Sequence, residues 1–251
     1  MNRRPVSDYT AGAGAALNNL VSVNWKLGQY ERAEAYAHDG LALLRAALPE
    51  RHPVVGLATM NLGETLRKLN RHPEARELLE QARKTLAVGY GPAHPTVIMV
   101  HANLAESYLA TGDLKRARRQ AVKADQLAAR ALGDSHPHAA HARGVLADVL
   151  AALGDARVVR HRREAAALYN SVADLVLGHG SERQKRAFMT SLTEDTHKTL
   201  SLHLRQRPDD VDAGRLALET LAARKGRVLE AWAGIVSGHG EGASALSSLR
   251  T

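Results

Sequence analysis

The sequence predicts an all-α fold of stacked helix pairs, and three observations lead there. The first is a repeat. His52-Pro53, His94-Pro95 and His136-Pro137 advance by 42 residues each time. At the same offset Asn19, Asn61 and Asn103 agree, as do Leu20, Leu62, Leu104 and Leu146. The turn positions Gly28, Asn70, Gly112 and Gly154 also fall in register, with Ala33, Ala75 and Ala117 a few residues beyond the first three. The second is composition: alanine, leucine and arginine dominate and aromatics make up 4% of the chain, which favours helix over strand. The third is apolar spacing, as in Val100, Leu104 and Tyr108, which puts these side chains on one helical face. A copy of this length cannot bury its own apolar face, so successive copies must stack.

The elements follow in order. Residues 1–10 hold Pro5 and no apolar period, so they read as a flexible lead-in. A helix from Ala11 to Leu27 ends at Gly28, which tolerates positive φ, and its partner runs from Gln29 to Leu48. The second copy is expected at Pro53–Leu69 and Pro73–Val88, each helix with proline in its first turn, where the missing N–H costs nothing. The third is expected at Pro95–Thr111 and Asp113–Leu132, and the fourth at Pro137–Leu153 and Asp155–Leu177. The short turn within each copy makes its two helices antiparallel. After Leu177 the period breaks at Gly178-His179-Gly180. A new helix is expected from Ser181 to Leu204, and Pro208-Asp209-Asp210 restarts helix over Ala213–Gly234. The glycine- and serine-rich stretch 235–251 reads as a flexible tail. The expected organisation is thus 1–10, 11–177, 178–234 and 235–251.

Composition excludes several classes of function. With no cysteine the chain has no disulfide, thiolate metal site or cysteine nucleophile. The opening MNRRPVSDYTAGAG lacks the apolar run of a secretory signal, and no stretch approaches the roughly 20 apolar residues that span a bilayer. A cytoplasmic protein without membrane partners is expected. The net charge of +8 suits an anionic partner, but the excess is spread along the chain. No nucleophile elbow or phosphate loop is present: Gly178-His179-Gly180 and Gly238-His239-Gly240 follow no strand and lack the Lys-Ser/Thr ending. No enzyme activity and no cofactor are expected.

The register Leu17-Asn18-Asn19-Leu20, followed by Leu27-Gly28-Gln29-Tyr30-Glu31-Arg32-Ala33-Glu34, resembles the tetratricopeptide repeat in its longer, kinesin-light-chain-like form. Ala102-Asn103-Leu104-Ala105-Glu106-Ser107-Tyr108 with Thr111-Gly112-Asp113-Leu114 does so again. That repeat usually has a period of about 34. Here the extra residues lie in a longer second helix and in the Gly-x-x-His-Pro loops at Gly91–Pro95 and Gly133–Pro137. HEAT and armadillo repeats have similar length but lack this Asn-Leu-(x)7-Gly spacing. The resemblance implies a right-handed superhelix of four helix pairs.

A second resemblance lies in the blocks Gly180-Ser181-Glu182-Arg183-Gln184-Lys185, Leu200-Ser201-Leu202-His203-Leu204, Leu216-Ala217-Leu218 and Arg224–Ala231. These are similar to the helical region between repeats and peptidase in bacterial TPR-CHAT proteins. That likeness implies the non-catalytic front portion of such a system, any peptidase activity belonging to a CHAT domain outside this sequence.

The best binding candidates are Asn19, Asn61 and Asn103, each on the first helix of its copy. Asparagine offers donor and acceptor together, so a ladder of them can hold an extended peptide backbone. The resemblance implies the same role, since these positions line the peptide groove of kinesin-light-chain-like repeats. The alternative is that they bond neighbouring helices and support the stack. One turn on, Ser22, Glu64, Glu106 and Asp148 form an acidic strip, with Lys26, Arg67 and Lys68 as a basic edge; a solvated helix face is the competing account. The fourth copy has Val145 in place of the asparagine. The His-Pro pairs fall one per copy and so read as helix starts, and His138 with His141 makes a weak metal candidate for want of a third ligand. The run Arg157–Arg163 is the densest basic stretch, read as a solvated face because no aromatics interleave it. The expected partner is a protein or peptide. A nucleic-acid-associated scaffold and a self-association module (a homo-oligomer) are the alternatives.

Overall fold

The computed structural model describes residues 6–133, 136–179 and 182–225. Among these the regular structure is helical throughout, and the chain divides into two compact units, 1–179 and 180–251.

The first unit is four antiparallel helix pairs: α1 (Val6–Lys26) with α2 (Tyr30–Ala47), α3 (Pro53–Lys68) with α4 (His72–Tyr90), α5 (Pro95–Ala110) with α6 (Leu114–Ala131), and α7 (Pro137–Ala152) with α8 (Val158–His179). Within each pair one turn geometry recurs. Gly28, Asn70, Gly112 and Gly154 take positive φ of 69°, 61°, 76° and 66°. The next residue's N–H then reaches back across the helix end: Gln29 to Asn24 O (2.9 Å), Arg71 to Leu66 O (2.9 Å), Asp113 to Tyr108 O and Asp155 to Leu150 O (both 3.0 Å). This Schellman arrangement satisfies carbonyls that a helix end otherwise leaves open.

The second, third and fourth pairs also start alike. His52, His94 and His136 are N-caps whose Nδ1 accepts the backbone N–H of Val54 (3.2 Å), Thr96 (3.2 Å) and His138 (3.1 Å). Proline at the first helical position has no N–H to cap, so the histidine serves the next donor along.

Ala33, Ala75 and Ala117 are fully buried where the two helices of a pair meet. In the first pair the approach is closest at Gly14 and Gly40. A Cβ on Gly14 would lie 2.7 Å from Leu44 Cγ, and one on Gly40 would lie 3.1 Å from Gly14 O. First helices touch along the series α1–α3–α5–α7, while α2, α4 and α6 each pack on the following first helix. The first helices therefore form a continuous layer.

Stacking buries the same register positions again and again. Leu62 and Leu104 are 2% and 0% exposed, and Thr65 and Ser107 are buried beside them. In α1 the equivalent Leu20 and Val23 are 40% and 42% exposed, and Leu27 is 63% exposed. Nothing in the described chain precedes α1 to cover them.

In the second unit α9 (Glu182–Ser201) runs into a π-helical turn (Leu202–Gln206), and a further helix, α10, is described over 211–225. Buried Asp195 lies 3.5 Å from Arg224, whose Nε donates to Thr196 Oγ1 at 3.1 Å, so α9 and α10 are cross-tied.

Four features depart from the sequence expectation. Residues 6–10 belong to α1 rather than to a lead-in, because backbone hydrogen bonding continues where no apolar period marks it. Gly178 does not break the chain; α8 continues to His179. The helix expected to reach Leu204 widens into the π turn at Leu202. Finally, α10 starts at 211, two residues before the expected Ala213. Residues 226–234 and the expected tail lie outside the described residues, as do Gly180 and Ser181.

Candidate functional site

Helical geometry sorts each first helix into faces. In α1, Leu20, Val23 and Leu27 face where a preceding pair would sit, Val21 and Gly14 face α2, and Asn18 and Trp25 face α3. The remaining face carries Asn19, Ser22 and Lys26. Its register partners are Asn61, Glu64 and Lys68 on α3, Asn103 and Glu106 on α5, and Val145 and Asp148 on α7. All but one of the sequence-predicted residues thus share the open side of the first-helix layer. Arg67 is the exception, since it points along the layer toward α5.

The asparagines on this face are not equivalent. Asn19 is exposed. Asn61 is 9% exposed, and its Nδ2 donates to Asn18 Oδ1 at 2.8 Å, joining α3 to α1. Asn103 is 1% exposed, and its Nδ2 donates to Glu64 Oε2 at 3.3 Å, joining α5 to α3. Alongside, Trp25 Nε1 donates to Thr65 Oγ1 at 2.9 Å. Asn61 and Asn103 therefore each commit one N–H to a neighbouring helix.

The acidic strip is neutralised by bases of the first helices and of α8. Arg67 lies 3.0 Å from Glu106 and 3.9 Å from Glu64, and His141 stands 3.9 Å from Glu106 on its other side. Arg162, buried on α8, bonds Asp148. Ser22 is half-buried, while Lys26 and Lys68 are exposed and make no ion pair among the described residues. What the face offers outward is the exposed Asn19 amide, partly satisfied carboxylates and the ammonium groups of Lys26 and Lys68, with Asn61 and Asn103 buried between the helices.

The histidines resolve into structural roles. His136 and His138 have their rings 5.1 Å apart. Burial, with His136 and His141 nearby, pushes His138 down to about 4, so it is neutral at physiological pH. No group of three or more potential metal ligands occurs among the described residues. In the basic run, Arg157 pairs with Asp155, Arg160 with Glu164 and Arg162 with Asp148. Sequence density there does not become a free cationic surface.

A different surface was not singled out by sequence. The outer half of α6 lies along a depression of about 1080 Å³ lined by Lys115, Arg118, Arg119 and Lys123, with Arg83 from α4 and His101 from α5. The signal was available in the sequence: these bases recur at helical spacing on the side opposite the alanines that α6 buries.

Three comparisons bear on this geometry. Residues 12–87 and 58–124 match the tetratricopeptide repeat family. No curated protein matches the chain in sequence. Among solved structures, a kinesin-light-chain-type protein of nearly identical TPR-like repeats from Podosopora anserina is similar in two forms, one a point variant. These are 20% and 21% identical, with TM-scores of 0.58 and 0.56, and the match covers 86% and 84% of this chain and 96% and 94% of theirs. BtubC (BKLC) from P. vanneervenii is 16% identical with a TM-score of 0.60, over 87% of this chain and 82% of its own. At such identities the likeness is one of fold.

Proposed function

Because this chain is a tetratricopeptide-repeat protein, and such repeats mediate protein–protein interaction, we propose that it is a non-enzymatic scaffold holding an extended segment of another protein along the open face of α1, α3, α5 and α7. The observation that carries this reading is the fixed polar row on that face. With one N–H of Asn61 and of Asn103 tied to a neighbouring helix, these two buried amides brace the floor on which the exposed polar groups stand. Asn19, which is exposed, supplies the whole amide at the front, and Lys26 and Lys68 favour carboxylates at one edge. Ser22, Glu64, Glu106, Arg67 and Asp148 set the polarity of the floor. Val145 makes the last pair a poorer grip.

The test is site-specific photo-crosslinking in the host, with the probe at Asn19 or Lys68 against a control at Arg51. A protein captured from the two inner positions and not from the control supports the face. Equal capture at all three refutes it. Asn19→Ala should then weaken the captured partner without changing the far-UV spectrum.

The blocks within residues 178–234 support a setting of the TPR-CHAT type, in which this scaffold senses or recruits a partner for a linked peptidase. A coding region with no peptidase domain following residue 251 would remove that placement. One observation favours a second reading, self-association: the exposed Leu20, Val23 and Leu27 stripe has the chemistry of a buried stacking face. Sedimentation that shows the monomer mass of 27.1 kDa across a hundredfold range of concentration would exclude it.

A further inference from the structure

The four cations on the outer half of α6 gather in one depression without ion-pair partners among the described residues, whereas other unpaired bases such as Lys26 and Lys68 lie apart from it. Arg67, Arg71, Arg83, Arg116, Arg143 and Arg157 each have a carboxylate within 4 Å. Lys115, Arg118, Arg119 and Lys123 have none among the described residues, although Asp155 lies near enough for Arg118 to act on it. They share one depression, and its one lining carboxylate, Glu80, is taken by Arg83 at 2.8 Å. Like charges gathered without counter-charges repel one another, so the arrangement costs stability unless an anionic partner offsets it.

The rest of the lining narrows the partner. Leu114, Val122 and Leu153 give apolar ground between the cations, and no Phe, Tyr or Trp lines the depression, where the one ring, His101, is 8% exposed. Bases of a nucleic acid would have nothing to stack on. At one side His101 is 8% exposed, with Nδ1 2.7 Å from Gln120 Oε1. The amide oxygen accepts, so Nδ1 donates and Nε2 keeps a lone pair, the acceptor a peptide N–H requires. From Lys115 to Lys123 the helix rises about 12 Å, the reach of about four residues of extended chain.

We propose that the outer face of α6 is a second binding site, specific for an acidic polypeptide segment that carries at least one aliphatic side chain among its carboxylates. It is separate from the first-helix face and does not depend on what that face binds. Carboxylates meet Lys115, Arg118, Arg119 and Lys123, and an aliphatic side chain settles against Val122 or Leu153.

The test uses the full chain and three dye-labelled probes at fixed salt: a twelve-residue peptide of glutamates with two leucines, its glutamine counterpart, and an oligothymidylate of twelve nucleotides. The acidic peptide should bind and the glutamine peptide should not. Arg118→Glu/Arg119→Glu should weaken the acidic peptide by about tenfold or more, while Arg51→Glu leaves it unchanged. All substituted side chains are exposed, and circular dichroism verifies that the helices persist. The proposal is overturned if the oligothymidylate binds as tightly as the acidic peptide, if the double variant binds normally, or if Arg51→Glu weakens binding equally, which would reduce the effect to net charge.

Discussion

A histidine before a proline is the residue on which each later copy begins. Its work is local: Nδ1 accepts the N–H that the proline ring leaves as the first free donor of the helix. His94→Ala should therefore lower the stability of the repeat unit by about 1 kcal/mol, and His94→Asn, which can cap in the same way, should restore most of it. Urea unfolding of the three proteins checks this, and equal stability of the alanine and asparagine forms would contradict it. A second histidine sets a pH response. His138 is neutral in the folded state, its affinity for a proton lowered to about 4 by burial and by His136 and His141. In the unfolded chain it titrates near 6.5, so between these values the unfolded state binds more protons and stability rises with pH. Acidification from pH 7 should thus cost stability through the window from about 6.5 to about 4, and no more from this group below it. His138→Gln should flatten part of that slope in denaturation midpoints measured at pH 7, 5.5 and 4.

At the scale of the helix, the contrast between α1 and its counterparts gives a direct comparison of one leucine in two settings. Leu104 on α5 is sealed by the preceding pair, whereas Leu20 on α1 has the same register and no cover in the described chain. Leu104→Ala should cost about 2–5 kcal/mol, and Leu20→Ala under about 1 kcal/mol. Similar losses at both sites would show that something covers α1 in solution. The helix is also the scale at which the sequence was most legible. Period, pair boundaries and turns could be read because a positive-φ residue, a proline at the first turn and an apolar stripe are each dictated by neighbours in the chain. Asn70 in the αL turn is the same signal in a different residue. The burial of Asn61 and Asn103 was not legible, since it depends on how near the next first helix comes, which no local pattern encodes. The charged surface was only partly legible for a related reason. Arg157–Arg163 is dense along the sequence but winds around α8 and is paired off, while the bases of α6 are sparser in sequence and converge in space.

For the whole molecule, two units follow one another, and the first is held together by contacts between neighbouring pairs. Its stability is a sum of pair and interface terms rather than the property of a single core. The open face of the first helices and the outer face of α6 are consequently independent in composition: one rests on amides and internally balanced charge, the other on unbalanced cations. A ligand on either face meets residues that the other does not use.

The shared hydrogen bond that closes all four turns has a consequence for how such a chain changes length. Each pair turns through the same geometry at its middle and the later three start at an equivalent histidine, so the 42-residue unit is an interchangeable part. A duplicated copy placed between the second and third pairs would meet, on either side, surfaces like those it already fits. The ligand-facing row would grow by one rung and every existing contact would keep its register. Such a chain acts as a ruler with equal divisions, extended or shortened one whole division at a time.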